Sequence, residues 1–401
     1  MDQFDISNNE LKVGGLPLQL LAERVGQTPF YAYDRSLIAA RIRAVRQALP
    51  QGVHLHYALK ANPMPALVAF VSPLVDGMDV ASAGELKLAL DAGATAQSIG
   101  FSGPGKRDSE LRQAVAAGVL LHVESVRELR VLADAAQVLG RPARVAVRIN
   151  PDFELRGAGM HMGGGAKPFG VDAAQVPALL RGMVQDGLVF EGFHIYPGSQ
   201  NLRAPVIAES LRRSFDLALR LALEAPAPVR YINLGGGWGI PYFPGECVLD
   251  IEPIAVMLEQ VQSELVRVLP AARLVLELGR YLVGEAGVYV ARVIDRKVSQ
   301  GQVFLVTDGG MHHHLAASGN FGQVIRRNYP VVIGNRLQAS EHETASIVGP
   351  LCTPLDLLAD RVELAVAQPG DLVVVFQSGA YGATASPQAF LGHPTCTEVL
   401  V

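Results

Sequence analysis

Short apolar runs alternate with amphipathic stretches from about residue 53 to residue 280, and this alternation constrains the fold more than any other feature. Eight of the apolar runs have the length and composition of β-strands. They lie at 54–59, 77–80, 98–101, 119–123, 144–149, 189–195, 229–234 and 273–278. Apolar residues at helical spacing follow all but the last of them, for example at 125–139, 205–224 and 251–269.

Eight strand–helix repeats within roughly 230 to 250 residues are what a TIM (β/α)8 barrel requires. A doubly wound parallel sheet is the alternative, but it usually has fewer strands. After residue 284 the pattern changes to strand-like runs separated by Gly and Pro turns, at 287–294, 302–306, 362–366 and 371–376. Similar short runs occupy the first 30 residues. We therefore predict an α/β protein with a barrel at 31–282 and a second, β-rich domain formed by 1–30 plus 283–401.

The composition argues against several classes of function. The chain has 401 residues, a net charge of −4 and only 18% charged residues, which are not clustered by sign. We therefore expect no nucleic-acid or membrane partner. No apolar run reaches the ~20 residues of a membrane span, and the polar N-terminus is unlike a signal peptide. Three widely spaced cysteines without CxxC spacing predict a reduced, cytoplasmic protein.

Polar and glycine-rich segments lie at the predicted carboxyl ends of six strands, where TIM barrels build their active sites. These segments are 57–62, 79–82, 148–150, 194–200, 233–237 and 277–280. Lys60 directly follows the first strand, where partial burial lowers the pKa of an amine and makes it reactive. Gly235, Gly236 and Gly237 follow the seventh strand, where glycines let backbone N–H groups approach an anion.

Glu277 and Arg280 end the eighth strand, where the arginine can hold a phosphate and the carboxylate can pair with a protonated ring nitrogen. Taken singly, these features have ordinary explanations: a lysine extending from a strand end, a tight glycine turn, and a Glu277–Arg280 salt bridge. Together they favour a phosphate-bearing cofactor that needs an amine and a carboxylate. Pyridoxal 5′-phosphate (PLP) meets these requirements, whereas a flavin or a sugar phosphate would not need both.

The same residues resemble the motifs of the fold-type III PLP-dependent decarboxylases, the group of ornithine, arginine and diaminopimelate decarboxylases. The similarity extends nearly from end to end of the chain. Its motifs are YALKAN at 57–62, DVASAGEL at 79–86, GSQ at 198–200, GGG at 235–237, ELGR at 277–280, GPLCTPLD at 349–356 and SGAYG at 378–382. The resemblance implies a biosynthetic lyase that decarboxylates an amino acid, and a homodimer whose β-rich domain completes each active site across the interface.

The resemblance also implies roles for individual residues. Lys60 would carry the cofactor as a Schiff base, and Glu277 would pair with the pyridine nitrogen. Cys352 of the partner subunit would protonate the carbanion that remains after CO₂ leaves, although without the resemblance it is simply a buried cysteine. The other cofactor contacts would be Asp79, Arg148, His194, Tyr196, Ser199, Gly235, Gly236, Gly237, Gly279, Arg280 and Tyr381. Of these, Ser199, the three glycines at 235–237, Arg280 and Tyr381 would hold the phosphate.

Two positions depart from the family pattern. The family places a histidine on the cofactor ring two residues before the Gly-Ser pair, but this chain has Tyr196 there, with His194 two residues earlier. A tyrosine can still stack on the ring. After the interface cysteine the family places an Asp or Glu that receives the distal ammonium group of the substrate, whereas this chain has Thr353. A free diamino acid would lose its charge partner there unless Asp356 compensates.

The segment 308–330 and the ending at 392–400 resemble a narrower group, typified by the decarboxylase of butirosin biosynthesis. That enzyme acts on a glutamyl group held as a thioester on an acyl-carrier protein. The resemblance implies an aminoacyl carrier protein as the substrate, which suits a neutral Thr353. Arg326 or Arg327, with Tyr329 in the same loop, would hold a carboxylate or the carrier arm.

Other functions remain open at this point. His312, His313 and His314 suggest a metal site, but consecutive residues point in different directions and zinc ligands are usually further apart, so we predict none. A free diamino acid such as diaminopimelate or ornithine is the alternative substrate. An amino-acid racemase would need a second base opposite Lys60, and the sequence shows no tyrosine motif for it. A non-catalytic PLP-binding regulator would be expected to lose Lys60 or the phosphate clamp, and both are present.

Overall fold

A computed structural model describes residues 3–154, 160–183, 187–321, 323 and 325–401. The chain divides into two compact units. The barrel unit comprises Ile42–Ile240 and Cys247–Tyr281, and the β-rich unit comprises Met1–Arg41, Pro241–Glu246 and Leu282–Val401. These bounds differ from the sequence-based domain bounds at 31–41 and at 241–246, which lie in the β-rich unit.

The barrel unit contains a closed ring of eight parallel strands. Each strand pairs with the next along the chain, and the eighth also pairs with the first. The strands are Val53–Ala58, Gly77–Val80, Ile99–Phe101, Leu120–Val123, Ala143–Asn150, Leu188–Ile195, Tyr231–Gly236 and Arg273–Leu278. The predicted (β/α)8 barrel is therefore confirmed, and each predicted strand coincides with an observed one to within about two residues.

Helices follow the barrel strands in the predicted alternation. They are Pro65–Val71, Ala83–Asp91, Asp108–Ala117, Val126–Leu139, Val176–Gly182, Ala204–Ala222 and Glu252–Val268, with Arg35–Ala48 before the first strand and Arg280–Val283 after the last. Two of the helices begin at a serine followed three residues later by a glutamate. Ser82 Oγ accepts the Glu85 N–H at 3.1 Å, and Ser125 Oγ accepts the Glu128 N–H at 3.3 Å. This local signal starts each helix directly after its strand end.

The polar residues at the rim share a strand face with an apolar layer inside the ring. Leu120, Ala146, Tyr231 and Val275 form a buried cluster contributed by four strands. Side chains two residues apart along a strand point the same way. Two residues further on, the same faces carry four buried polar side chains: His122, Arg148, Asn233 and Glu277. The alternation of each strand therefore puts this polar layer at the carboxyl end of the barrel.

The β-rich unit contains one large sheet of eight strands and a small one of three. The small sheet comprises Ile6–Ser7, Glu10–Val13 and Leu16–Pro17, followed by the helix Leu18–Val25. The strands of the large sheet are Phe30–Tyr33, Gly287–Ser299, Gln302–Thr307, Val331–Ile333, His342–Val348, Leu357–Ala365, Leu372–Val375 and Thr397–Leu400. Gly287–Ser299 is its longest strand and pairs with three others.

Val331–Ile333 and His342–Val348 are among the strands of the large sheet that are missing from the sequence-based prediction. The first has only three residues. The second begins with exposed polar residues and becomes buried only in its second half, so its composition does not alternate. Both lie in place because longer neighbours supply the pairing, Leu372–Val375 for the first and Leu357–Ala365 for the second.

The structure describes all three cysteines of the chain. Cys247 and Cys352 are exposed, Cys396 is partly buried, and all three are free thiols. The exposure of Cys352 distinguishes it from an ordinary buried cysteine.

Among the helices that the structure describes, none has the length and apolar character needed to cross a membrane.

Candidate active site

The first barrel strand ends in a tight turn that presents Lys60. Leu59–Ala61 forms one turn of 3-10 helix, in which the Lys60 side chain is 40% exposed while both neighbours are buried. The hydroxyl of Tyr57 donates to the carbonyl of Asn62 at 2.8 Å, and Asn62 Oδ1 accepts the Met64 N–H at 3.0 Å. The YALKAN motif therefore encodes the hydrogen bonds that hold the lysine in position.

Glu277 lies beside the Lys60 amine. Lys60 Nζ is 3.3 Å from Glu277 Oε1, and His194 Nε2 is 3.4 Å from Oε2. Burial alone would raise the pKa of the Glu277 carboxyl, but the positive charges of Lys60 and Arg148 and the nearby His194 ring outweigh it and hold the pKa well below its ordinary value. The contact between His194 Nε2 and Glu277 Oε2 lacks hydrogen-bond geometry. Glu277 Oε2 therefore has no hydrogen-bond donor among the described residues.

Tyr196 stands where the family pattern has a histidine. Lys60 Nζ lies 5.0 Å from the centroid of its ring, and the ring meets that of His194 edge-on at 6.4 Å. The structure thus brings an aromatic ring next to the amine, as the sequence suggested. A flat ring of this kind offers a surface on which another planar ring can stack.

Asp79 occupies the strand next to the lysine turn, where it pairs in register with Ala58. Its carboxyl is buried, and Oδ2 lies 3.1 Å from His56 Nδ1. Oδ1 has no hydrogen-bond partner among the described residues. Burial raises the pKa of the Asp79 carboxyl above its ordinary value, although His56 partly opposes this shift.

The three glycines at 235–237 permit close packing around the end of the seventh strand. Gly235 and Gly237 adopt φ values of +71° and +72°, a region that favours glycine. A Cβ on Gly236 would collide with the carbonyl of Glu277, and one on Gly237 would collide with the carbonyl of Gly198, next to Ser199. The turn therefore lies against both neighbouring strand ends.

The eighth strand is packed closely against the lysine turn through Gly279. A Cβ there would lie 2.8 Å from the Ala61 Cβ and 3.1 Å from the Ala58 carbonyl oxygen. Arg280 follows at once and begins the short helix Arg280–Val283. The ELGR motif thus places a buried carboxylate, a glycine packed closely against the lysine turn and an arginine at one strand end.

Arg148 is buried in an ion-pair network inside the rim. Its Nη1 donates to Glu124 Oε1 at 2.9 Å, and Lys106 Nζ lies 3.0 Å from Glu128 Oε1. Although burial alone would raise it, Arg148 and Lys106 hold the pKa of the Glu124 carboxyl below its ordinary value. Arg148 is therefore a fixed positive charge, and it contributes to keeping Glu277 ionised.

Ser102, His122 and Glu124, at the ends of the third and fourth strands, are polar residues that are absent from the sequence-based prediction of the site. Ser102 Oγ lies 2.7 Å from His122 Nδ1, and the ring of His122 lies 4.5 Å from that of His194. Burial lowers the pKa of His122 well below its ordinary value, so the ring is neutral near pH 7. These residues follow the same pattern as the six predicted segments, because they too are polar residues at the carboxyl ends of barrel strands.

The β-rich unit contains the other predicted site residues. Tyr381 is partly buried and adopts φ +54°, within the SGAYG motif. In the GPLCTPLD motif Cys352 is exposed and Thr353 is partly exposed. Thr353 Oγ1 accepts the Leu355 N–H at 3.3 Å.

Asp356, in contrast, lies in the interior of the β-rich unit. The residue is 3% exposed, and its two carboxylate oxygens accept the N–H groups of Met311 (2.6 Å) and Leu351 (2.8 Å). A Cβ on either Gly310 or Gly349 would collide with this carboxylate. Asp356 therefore joins two loops by hydrogen bonds and faces no solvent.

Arg326, Arg327 and Tyr329 line one pocket of about 740 Å³ in the β-rich unit. Arg326 Nη2 donates to the Leu357 carbonyl at 2.5 Å, and the Arg327 guanidinium lies 3.7 Å from the centroid of the Phe243 ring. The structure thus brings the three loop residues together, as the sequence suggested.

The consecutive histidines have different surroundings. His314 Nδ1 accepts the Ala317 N–H and Nε2 lies 2.9 Å from Ser378 Oγ, whereas His313 Nε2 lies 2.8 Å from the Pro394 carbonyl. Burial lowers the pKa of His314 to about 3. Within the described residues, no group of three or more His, Cys, Asp or Glu side chains is arranged to hold a metal ion.

This geometry agrees with what the chain matches among known proteins. Residues 35–284 match the pyridoxal-dependent decarboxylase family, through its pyridoxal binding domain. The chain belongs to this family. It is a PLP-dependent amino-acid decarboxylase.

Two relatives and one solved structure are similar to the decarboxylase over nearly its whole length. It is 42% identical to the L-glutamyl-[BtrI acyl-carrier protein] decarboxylase of Niallia circulans, over 93% of this chain and 89% of the relative. It is 33% identical to the diaminopimelate decarboxylase of Aquifex aeolicus, over 99% and 92% of the two chains. The diaminopimelate decarboxylase of M. jannaschii in complex with L-lysine superposes with a TM-score of 0.89 at 25% identity, covering 100% of this chain and 93% of that one.

The barrel rim of the decarboxylase fits the cofactor. Glu277 supplies a buried, ionised acceptor atom that lacks a donor among the described residues, as a protonated ring nitrogen requires. The glycine turn at 235–237 packs so closely against the neighbouring strand ends that a Cβ at any of its three positions would collide with them. When bound, PLP accepts the electron pair of the bond that is broken when a carboxylate leaves. The chain itself supplies the amine of Lys60, the aromatic face of Tyr196 and the fixed charges around Glu277.

Proposed function

We propose that this decarboxylase acts on an aminoacyl group, of the glutamyl type, held as a thioester on an acyl-carrier protein. One observation carries the proposal: the segment 349–356, described throughout, offers no solvent-facing carboxylate. Thr353 is neutral, and the single acid in the segment, Asp356, is buried with both oxygens bound to backbone N–H groups. Asp356 is thus unsuited to replace the carboxylate that the family pattern has at 353.

The physical argument concerns the distal end of the substrate. A free diamino acid carries a second ammonium group, and a desolvated ammonium needs a carboxylate partner worth about 1.5 to 3 kcal/mol. A thioester carries no charge at that position and needs no such partner. Among the relatives, the Niallia circulans enzyme is named for a glutamyl carrier protein, and its 42% identity supports the same substrate class here.

We further propose that the enzyme is a homodimer with shared active sites, in which 31–282 binds PLP and the β-rich remainder, 1–30 plus 283–401, completes the partner's site. Lys60 would hold the cofactor, Glu277 its ring nitrogen and Tyr196 its face, with His194, Asp79 and Arg148 around them. Ser199, Gly235, Gly236, Gly237, Arg280 and Tyr381 would hold its phosphate, and Gly279 would be a further cofactor contact. The family motifs and the rim geometry support these roles.

Substrate choice is tested by CO₂ release from the PLP-loaded enzyme. We expect turnover of glutamyl-carrier protein and little turnover of free glutamate, ornithine, lysine, arginine or diaminopimelate. Thr353→Asp introduces the carboxylate that the family pattern has at this position. Because it can pair with the distal ammonium, kcat/KM for a free diamino acid should rise about tenfold or more. Thr353→Asn, which is polar but uncharged, is the matched control. Efficient wild-type turnover of a free diamino acid would refute the carrier-linked substrate.

Cys352→Ala should lower kcat about 100-fold and leave PLP binding unchanged, because only the proton donor is removed. Cys247→Ala, at another exposed thiol, is the control. Mixing Cys352→Ala with Lys60→Ala subunits should restore about a quarter of wild-type activity, because half of the dimers then contain one intact shared site. Unchanged kinetics in Cys352→Ala would remove this thiol from the reaction, and no recovery on mixing would refute shared sites.

A further inference from the structure

The pocket around Arg326 and Arg327 has a composition that suits one part of a carrier-linked substrate. We name it the arginine pocket; its walls are Pro241–Glu246, 326–331, Asp360, Val362 and Gln377. Its volume of about 740 Å³ lies within the range of about 300 to 1,000 Å³ that small-molecule sites have. Every wall belongs to the β-rich unit.

One side of the arginine pocket is aromatic. The rings of Tyr242 and Tyr329 lie 4.7 Å apart, and the ring of Phe243 lies 5.9 Å from that of Tyr329. Arg327 stacks on Phe243, is 54% exposed, and its Nη2 lies 3.3 Å from Glu246 Oε1. This arginine is therefore preorganised by an aromatic ring and one carboxylate, with over half of its side chain open to an incoming anion.

Two residues that line the arginine pocket carry buried polar atoms without partners among the described residues. Gln377 is 4% exposed; its Nε2 donates to the Pro241 carbonyl at 2.9 Å, while its Oε1 has no donor. Arg326 Nε is likewise buried without an acceptor. An unpaired buried acceptor or donor costs about 1 to 3 kcal/mol. A secondary amide offers both an N–H and a carbonyl, the two kinds of partner that these atoms lack.

The backbone at Gln377 supports a functional role. This residue adopts φ +57°, a left-handed conformation that is uncommon for residues other than glycine. Such strain collects at binding sites, where it holds a side chain in a required direction. Here it accompanies a buried side-chain amide that lines the pocket.

We propose that the arginine pocket binds the phosphopantetheine arm of the carrier protein. This inference rests on the function proposed above and names the part of the substrate that the pocket recognises. The arm combines secondary amides, which match Gln377 and Arg326, with a dimethyl-substituted chain, which matches the aromatic side. Its phosphate matches Arg327 at the exposed edge. A lone substrate carboxylate would need neither the aromatic side nor a pocket of this size.

Direct binding to the PLP-loaded enzyme tests the proposal without requiring turnover. The probe is S-methyl-4′-phosphopantetheine, whose capped thiol cannot add to the cofactor, measured by isothermal titration calorimetry. We expect saturable binding, weaker binding of S-methylpantetheine, which lacks the phosphate, and none of adenosine 3′,5′-bisphosphate. Absence of binding at millimolar probe, or equal binding of the nucleotide, would overturn the proposal.

Two variants locate the probe in the arginine pocket. Arg327→Gln removes the charge from a largely exposed residue, and Gln377→Asn withdraws the amide while keeping a side chain that tolerates positive φ. Each should weaken probe binding about tenfold, the effect of one lost hydrogen bond or charge contact. The control is Lys297→Ala, an exposed cation of the same unit paired with Asp295. Wild-type affinity in both pocket variants would refute the assignment.

Kinetics separate this proposal from the proposed function. The selectivity for glutamyl-carrier protein over a short glutamyl N-acetylcysteamine thioester should fall about tenfold in both pocket variants. If the wild type decarboxylates the carrier-bound substrate and the variants keep its selectivity, the pocket assignment is wrong while the function stands. If the wild type turns over only free amino acids, the proposed function is wrong, and the probe titration then decides the pocket by itself.

Discussion

Replacing Lys60 by alanine is expected to abolish the visible absorbance of the lysine-bound cofactor and to lower kcat by about 1,000-fold or more. Lys60 is the one lysine on the described rim that combines partial exposure with a buried carboxylate 3.3 Å away. Without its amine the enzyme loses the covalent anchor of the cofactor, and Glu277 loses the nearest positive charge. Absorbance spectra and CO₂ release measure the two effects separately.

Lys60→Arg is the informative companion, because it keeps a positive charge beside Glu277 but cannot form the covalent bond. We expect it to be as inactive as the alanine variant. The surface control is Lys87→Ala, whose side chain is 71% exposed and pairs with Asp91 on its own helix. If Lys60→Arg kept near-normal activity, the amine would serve only as an electrostatic partner and its assigned role would be wrong.

Glu277→Gln should lower kcat by about 100- to 10,000-fold while leaving the cofactor covalently bound. The charges of Lys60 and Arg148 and the nearby His194 ring keep this buried carboxyl ionised, and an ionised acid is what holds a ring nitrogen in its protonated form. A neutral amide of the same shape cannot do so. Steady-state kinetics and cofactor absorbance of the variant test this directly.

Glu259→Gln, at an exposed position of the helix Glu252–Val268, controls for the loss of one carboxylate from the same unit. Its kcat should equal that of the wild type. A Glu277→Gln enzyme with kcat within about threefold of wild type would show that the ring nitrogen needs no carboxylate here. Loss of the cofactor absorbance would instead assign Glu277 mainly to positioning Lys60.

Much of the barrel site could be predicted because its signals are local. Lys60, Glu277 and the glycines at 235–237 each lie directly after an apolar strand, and the parallel arrangement brings all strand ends to one rim. The serine–glutamate pairs that start the helices are equally local. Ser102 and His122 follow the same rule, so they were within reach of the sequence as well.

The β-rich unit was less predictable, since its decisive contacts join distant parts of the chain. Asp356 looked from the sequence like a possible partner for a substrate ammonium, yet it binds the N–H of Met311, 45 residues away. Gln377 is not among the site residues that the sequence predicts, yet its amide donates to the Pro241 carbonyl, 136 residues away. No spacing rule links such pairs.

The amino-acid sequence by itself therefore determined the barrel, the cofactor and the residues around the reactive amine. Strand alternation and strand-end position are properties of neighbouring residues, and they need no knowledge of long-range packing. Only the tertiary structure decided which carboxylates are exposed, which are buried against backbone N–H groups, and which side chains share the arginine pocket. These depend on how loops pack together, because burial and hydrogen-bond partners are set by residues far away in the sequence.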